Sequence, residues 1–395
     1  MTSVTTGAPS TSSPRTKPAK TIDPVEPAFA WREVRLYEFV LGLTVGLWRY
    51  PVIAGIPGEV LMMLIVVGFG IFTRPRVSSP NLVWFGLVYV GAIANAALVS
   101  FNAGESWAQR AFRLLLLMAF AIMIAGGRLH WRSLVAGAIF GLAINAGAFY
   151  LHLTPNLYPP YLTGWLGDKN VSGLYYAAFG LLALSLVRRR WTQLCLVVGF
   201  FCLLWLTGSR TSLAAFVAAL AWWLLRNRLG LFLRLVVFAG GAQFLVWFEA
   251  EFSQVGVFAD REGTDLLRGT IHAAEAAKVA LTPWYGQGLN TAWVSIRNYP
   301  HMWFHDSYAA LFVEGGFPML LIVLFLVCIV GLGLFSRRRR VSAGLRAAEG
   351  ALIVVLVTAW QLGEVFFTSV AFLALGIAWY ERFGVPNDDT QRLPG

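Results

Sequence analysis

HMWFHDSYAALFVEGGFPMLLIVLFLVCIVGLGLFSRRRR, residues 301–340, joins two histidines four apart, an apolar run beginning at Ala309 and four consecutive arginines. A helix rises 1.5 Å per residue and the bilayer's hydrocarbon core is about 30 Å thick, so a run of roughly 20 apolar residues is the length that crosses it. Working outward from this stretch, further apolar runs start near Leu36, Ile56, Leu82, Ala111, Leu134, Val171, Leu194, Ser212, Leu229, Ala351 and Val370. The chain therefore reads as an all-α polytopic membrane protein with about twelve transmembrane helices. Its composition agrees. Hydrophobic residues make up 57% and charged residues 13% of 395, and the mean hydropathy is +0.65, too apolar for a water-soluble core of this size.

The arginines of 337–340 also set orientation, because Lys and Arg near helix ends stay on the cytoplasmic side. Basic residues recur in every second loop: Arg15, Lys17, Lys20, Arg32 and Arg35 before the first helix, then Arg74/Arg76, Arg128/Arg132, Arg188 to Arg190, Arg226/Arg228 and Arg337 to Arg340 with Arg346. Both termini are expected in the cytoplasm. The intervening loops carry only scattered bases and many acids, including Glu105, Asp168, Glu249, Glu251, Asp260, Glu262, Asp265 and Asp306. The net charge of +11 thus follows topology. No basic stripe interleaved with aromatics is present, which argues against nucleic acid as a partner.

The organisation expected is a disordered cytoplasmic tail at 1–30, transmembrane helices one to nine over 31–248, an extracytoplasmic loop at 249–306 and helices ten to twelve with a short cytoplasmic tail over 307–395. The tail is rich in Ser, Thr and Pro and cannot support a core. The first helix lacks a small-residue cleavage site and reads as an uncleaved signal anchor. Cys195, Cys202 and Cys328 fall inside helices and are expected to pack there, with no disulfide framework.

Polarity concentrates on the acidic side. DLLRGTIHAAEAAKVAL, 265–281, spaces Asp265, Arg268, His272 and Glu275 by three and four, which predicts an amphipathic helix whose charged stripe is either a solvated face or part of a site. TPWYGQGLNT follows as a tight loop. In WLTGSRTSL, 205–213, Gly208 is expected to end one helix and Arg210 to open the next. Arg210 either snorkels to lipid phosphate or, with Ser209, its hydroxyl neighbours and the free N–H groups of the helix start, builds an anion site. Asp168, Lys169 and Asn170 are either an ordinary capped helix start or binding groups. Arg110 and Arg113, one turn apart, either add cations to a shared site or snorkel. His301 and His305 could share a metal if helical, but Pro300 and the lack of a third spaced ligand argue against it. No metal or cofactor is expected.

In order, GDKN at 167–170, GSRT at 208–211, Arg268 in the large loop, PWYGQG at 283–288 and HDSYAALFVEGG at 305–316 resemble the O-antigen ligase and polymerase superfamily. The resemblance covers most of the chain in topology, with its motifs between Asp168 and Pro318. It implies a GT-C-like membrane glycosyltransferase fold and metal-independent, inverting transfer of a glycan from a polyprenyl diphosphate carrier to a glycolipid or glycan acceptor. The chemistry implied is polysaccharide biosynthesis at the extracytoplasmic face of the inner (plasma) membrane. Such a reaction needs cations to stabilise the departing diphosphate, a task suited to Arg210 and Arg268. It also needs a base for the acceptor hydroxyl, and His305 matches the motif histidine. Asp306, His301, His272, Asn170, Lys169, Ser209, Arg110 and Arg113 are the substrate-binding candidates. Two positions depart from the pattern: Asp306 stands where asparagine is common, and Pro318 replaces a frequent glycine. A polymerase shares the donor and chemistry. A transporter or flippase for lipid-linked glycans is the alternative from another class, although the midplane offers it mainly Asn145, Gln243 and Gln361.

Overall fold

A computed structural model of the chain describes residues 34–47, 52–53, 56–79, 81–252, 262–296, 299–337 and 340–386, with the backbone alone at 46–47, 52–53, 242–252, 262–268, 299 and 386. The expected amino-terminal tail lies outside these residues, as do 253–261 of the large loop.

The described chain is mainly helical. In order it contains α1 (Leu36–Leu43), β1 (Val52–Ile53), β2 (Ile56–Pro57), α2 (Gly58–Phe72), β3 (Val77–Ser78), α3 (Leu82–Ala103), α4 (Ala108–Ala125) and α5 (Trp131–Tyr150). There follow α6 (Lys169–Ala183), α7 (Arg190–Thr207), α8 (Arg210–Leu225), α9 (Leu231–Phe252), α10 (Glu262–Ala280), β4 (Trp293–Ile296), β5 (Tyr299–Trp303), α11 (Ser307–Leu324), α12 (Ala343–Thr358), α13 (Ser369–Phe383) and β6 (Val385–Pro386). Each of the twelve apolar runs falls on or leads into a helix. Five are long and apolar enough to cross a membrane: α3, α4, α5, α7 and α11 with its π-helical continuation to Gly331. α2, α8 and Leu231–Gly241 of α9 are shorter apolar helices.

The first run differs from expectation. α1 has eight residues and passes into a 3-10 turn, Thr44–Leu47, too short to span at 1.5 Å per residue. What holds it is close backbone packing on α5: a Cβ at Gly42 would collide with Leu134 O, and Cβ atoms at Gly137 and Gly141 would collide with the α1 carbonyls of Phe39 and Leu43. Small residues let helices approach this closely where no water-driven burial operates.

Three helices form the centre. Every residue of α6 from Val171 to Ala183 is buried, and most of α12 and α13 is buried as well. A helix apolar on all sides belongs inside other helices or inside lipid; here α4, α5, α7 and α8 pack around the three. The outer helices keep large apolar side chains on the surface, such as Trp84, Leu87 and Val88 of α3 and Trp191, Leu194 and Val198 of α7. Cys195 and Cys202 lie on that exposed face of α7 and Cys328 is half-buried, so the two α7 cysteines do not pack in the interior as expected. The reason is that only Phe200, Leu204 and Thr207 of α7 are buried.

The basic turns gather at one end. Arg76 N donates to Gly126 O, β3 pairs with β6, the Asn227 side chain exchanges hydrogen bonds with the Val341 backbone, and Ser342 binds Glu381. Just inside that end, Glu349 is buried between Arg226 at 2.7 Å and Arg382 at 2.8 Å.

Candidate functional site

The motif segments lie at the opposite end, where local chemistry places each. α6 starts at Lys169 because Asp168 Oδ1 accepts from the N–H groups of Asn170 and Val171 at 2.8 and 3.0 Å, an N-cap as expected from Asp in that position. α7 stops at Gly208, whose φ of 63° suits glycine, and α8 begins two residues later with Arg210. The two helix starts are neighbours: a Cβ at Gly173 would strike Ser209 and Ser212. Ser209 is buried with its Oγ on Ser212 Oγ at 2.9 Å, and Arg210 is half-buried. The Lys169 ammonium stands 4.8 Å from the Tyr161 ring centre, and Leu162 N donates to Leu206 O at the end of α7. GDKN and GSRT, forty residues apart, thus present two adjacent helix N-termini with their partial positive charge.

The PWYGQG loop lies against α11. Gly316 interrupts that helix with φ 64° and ψ −162°. The carbonyls left by the break accept from the loop, Val313 O from Gln287 N at 2.7 Å and Glu314 O from Gly288 N at 3.1 Å, while Phe317 N donates to Trp284 O at 2.8 Å. Any Cβ at Gly286 would meet Gly316 N, and one at Gly316 would meet Trp284 O. The two glycine motifs are therefore one packing unit.

Glu314, in the same motif, anchors an internal ion network. Its Oε2 accepts from Arg110 Nη2 at 3.0 Å and its Oε1 from Asn290 N at 3.1 Å. Arg110 also binds Glu364, and Arg113 binds Glu364 at 3.1 Å and Glu59 at 2.9 Å. Two guanidinium groups thereby meet three carboxylates, tying α4 to α2, α11 and the turn before α13. Arg110 and Arg113 are thus held in ion pairs inside the protein, Arg113 through its two Nη atoms while its Nε has no hydrogen-bond partner.

α10 forms as the three-and-four spacing predicts. Its Ile271 joins Ala292, Val294, Phe304, Ala310 and Val313 in a small separate core, which seats the helix on the β4–β5 hairpin and the start of α11. Lys278 fastens the other side, donating to Thr291 O at 2.6 Å and Trp293 O at 2.8 Å, and burial lowers its pKa. With α10 so placed, buried Glu275 reaches two histidines. Its Oε1 accepts from His305 N at 2.6 Å and stands 3.9 Å from the His305 Nδ1; its Oε2 is 3.1 Å from His272 Nδ1. The His305 side chain is 34% exposed, enough for a substrate to reach it.

Asp306 does not face the imidazole of His305. Its Oδ1 caps α11, accepting from Tyr308 N at 2.7 Å and Ala309 N at 3.2 Å, and burial raises its pKa against those two hydrogen bonds. The carboxylate beside His305 is instead Glu275. Sequence spacing marked Glu275 only as part of the α10 stripe; the thirty residues between it and His305 carry no period that links them. His301 lies on β5, stacked on Trp293 at 4.4 Å and edge-on to Trp303 at 4.8 Å, so it and His305 do not form a helical pair. Among the described residues no group of three or more His, Cys, Asp or Glu side chains could hold a metal ion. Arg268 has its side chain outside the described residues; its backbone sits in α10 four residues before His272 and seven before Glu275, on the same helix face.

The arrangement offers a half-exposed imidazole beside a buried carboxylate, two adjacent helix starts bearing Lys169 and Arg210, and an aromatic platform of Trp293, His301 and Trp303. No protein-family profile, curated protein or solved structure matches the chain.

Proposed function

We propose that this chain is a membrane glycosyltransferase of the O-antigen ligase type, moving a glycan from a polyprenyl diphosphate carrier to a glycolipid or glycan acceptor. A GT-C-like arrangement with the arginine turns in the cytoplasm would put the site on the extracytoplasmic face of the inner (plasma) membrane. The observation that carries the reading is Glu275, whose carboxylate sits beside His305 at the start of α11.

In the proposed reaction the acceptor hydroxyl oxygen bonds to the anomeric carbon as the bond from that carbon to the diphosphate oxygen breaks. The carrier diphosphate leaves, and the hydroxyl proton passes to the His305 imidazole. A carboxylate next to that imidazole stabilises the cation it becomes. Arg210 and Arg268 meet the charge growing on the diphosphate, a task for which a bidentate, always-charged group is suited. The stacked Trp293 and His301 rings, with Trp303 edge-on beside them, offer aromatic surface for the apolar face of an acceptor sugar.

Purified protein with a polyprenyl diphosphate glycan and a glycolipid acceptor tests this. His305→Ala is expected to slow transfer by about 10² to 10⁴ with donor binding retained. Arg210→Ala and Arg268→Ala are expected to lose about 10² or more, with Lys recovering only part. Normal turnover in His305→Ala removes the base. One block added per acceptor identifies a ligase, whereas a ladder lengthening on the carrier identifies a polymerase.

A further inference from the structure

At the arginine end, away from the motif segments, a cavity of about 800 Å³ opens between the α6–α7 turn, the end of α8 and the starts of α5 and α12. Arg132, Arg188, Arg190, Arg228 and Arg346 line it, and its lining contains no Asp or Glu. Of the carboxylates on neighbouring elements, Glu349 pairs with Arg226 and Arg382, and Glu381 accepts from Ser342 Oγ. The remaining wall is apolar, including Leu194, Val197, Leu220 and Leu224. Leu194 and Leu224 are also exposed on the outside of the bundle, so the cavity's greasy side continues onto the surface that acyl chains would contact.

The walls are preformed. Gln193 donates to Leu184 O and Val187 O, holding the α6–α7 turn closed. Asn227 bonds both ways with Val341, which fixes the end of α8 against the approach to α12. Arg346 lies over the Trp223 ring at 4.6 Å, setting one cation at the boundary between the polar and apolar parts. Five like charges around one cavity repel one another, and that cost is offset when an anion fills it.

We propose that this cavity binds an anionic phospholipid of the adjacent leaflet, the phosphate headgroup among the arginines and the start of an acyl chain along Leu194, Leu220 and Leu224. Arginine forks suit phosphate oxygens, and basic pockets between transmembrane helices on the cytoplasmic side are where such headgroups seat. The site is independent of glycan transfer.

Thermal unfolding of the detergent-purified protein, titrated with phosphatidylglycerol, phosphatidylcholine or inorganic phosphate, tests it. Phosphatidylglycerol is expected to raise Tm and the other two to leave it unchanged. In the Arg188→Gln/Arg228→Gln double variant, whose two side chains are exposed and whose Tm without lipid is expected to match the parent, the apparent affinity should fall roughly tenfold or more. An undiminished response in that variant overturns the site. An equal response to phosphatidylcholine reduces it to an apolar crevice, and an equal response to inorganic phosphate makes it a free-anion site; either result overturns the lipid reading.

Discussion

Asp306 shows how one side chain balances opposing demands. As the cap of α11 it accepts two backbone N–H bonds, which favour the carboxylate, yet burial outweighs them and raises its pKa. For an acid whose folded pKa lies above its unfolded value, the stabilising contribution is present below the unfolded pKa, near 3.9 for Asp. It is lost as pH rises through the folded value. Asn caps a helix about as well as Asp without the charge. Asp306→Asn is therefore expected to unfold at or above the parent temperature at neutral pH and to remove the loss of stability that sets in as pH rises above the ordinary Asp range. Asp306→Ala, which removes the cap, should cost about 1 kcal/mol. If Asn proved as damaging as Ala at pH 7, the charge itself would be required at the cap. Glu275 is the carboxylate 3.9 Å from the His305 imidazole, while Asp306 Oδ1 is turned to the N–H groups of its own helix.

At the scale of elements, the break in α11 depends on a loop from earlier in the chain. Gly316 has a positive φ and no room for a Cβ against Trp284 O, so both the turn and the close approach demand glycine. Gly316→Ala is expected to destabilise by more than about 1 kcal/mol and to loosen the PWYGQG loop, read as faster proteolysis between Thr282 and Asn290. Gly269→Ala in α10 is the matched control. Nothing lies within 4 Å of its Cβ position and alanine is the better helix former by about 1 kcal/mol, so that variant should be neutral or stabilised. Equal damage from both substitutions would show that the strained backbone at 316 is unimportant. Pro318 fits this picture, since a proline is tolerated in the first turn of a helix segment and it stands two residues after the break.

For the whole molecule, the arginine turns gather at one end, and the proposed sidedness puts that end in the cytoplasm. In a background lacking Cys195, Cys202 and Cys328, a cysteine placed at Arg337 is expected to react with an impermeant thiol reagent only after permeabilisation. One placed at Glu262 should react in intact cells. The reverse pattern would turn His305, Glu275 and Arg210 toward the cytoplasm and end the proposed use of an extracytoplasmic donor. The two buried ion networks, Glu314 with Arg110 near one end and Glu349 with Arg226 and Arg382 near the other, hold the helices in register between these faces. Their energetic weight lies in keeping each charge matched, because removing one partner from a buried pair costs about 3–5 kcal/mol.

Apolar run length, proline and glycine breaks, helix caps and arginine spacing are local properties, and the sequence alone determined them. The twelve apolar runs led to helices, Gly208 ended α7, Asp168 capped α6, and the three-and-four spacing of 265–281 became α10. Tertiary structure decided which of these elements are neighbours. It shortened α1 against α5, turned Cys195 and Cys202 outward, paired Arg110 and Arg113 with Glu59, Glu314 and Glu364, and brought Glu275 to His305. Helical periodicity specifies the face on which a side chain lies but not the helix that face will meet. In an apolar bundle that choice rests on small-residue packing and on buried charges finding partners far along the chain, neither of which leaves a repeating signal in the sequence.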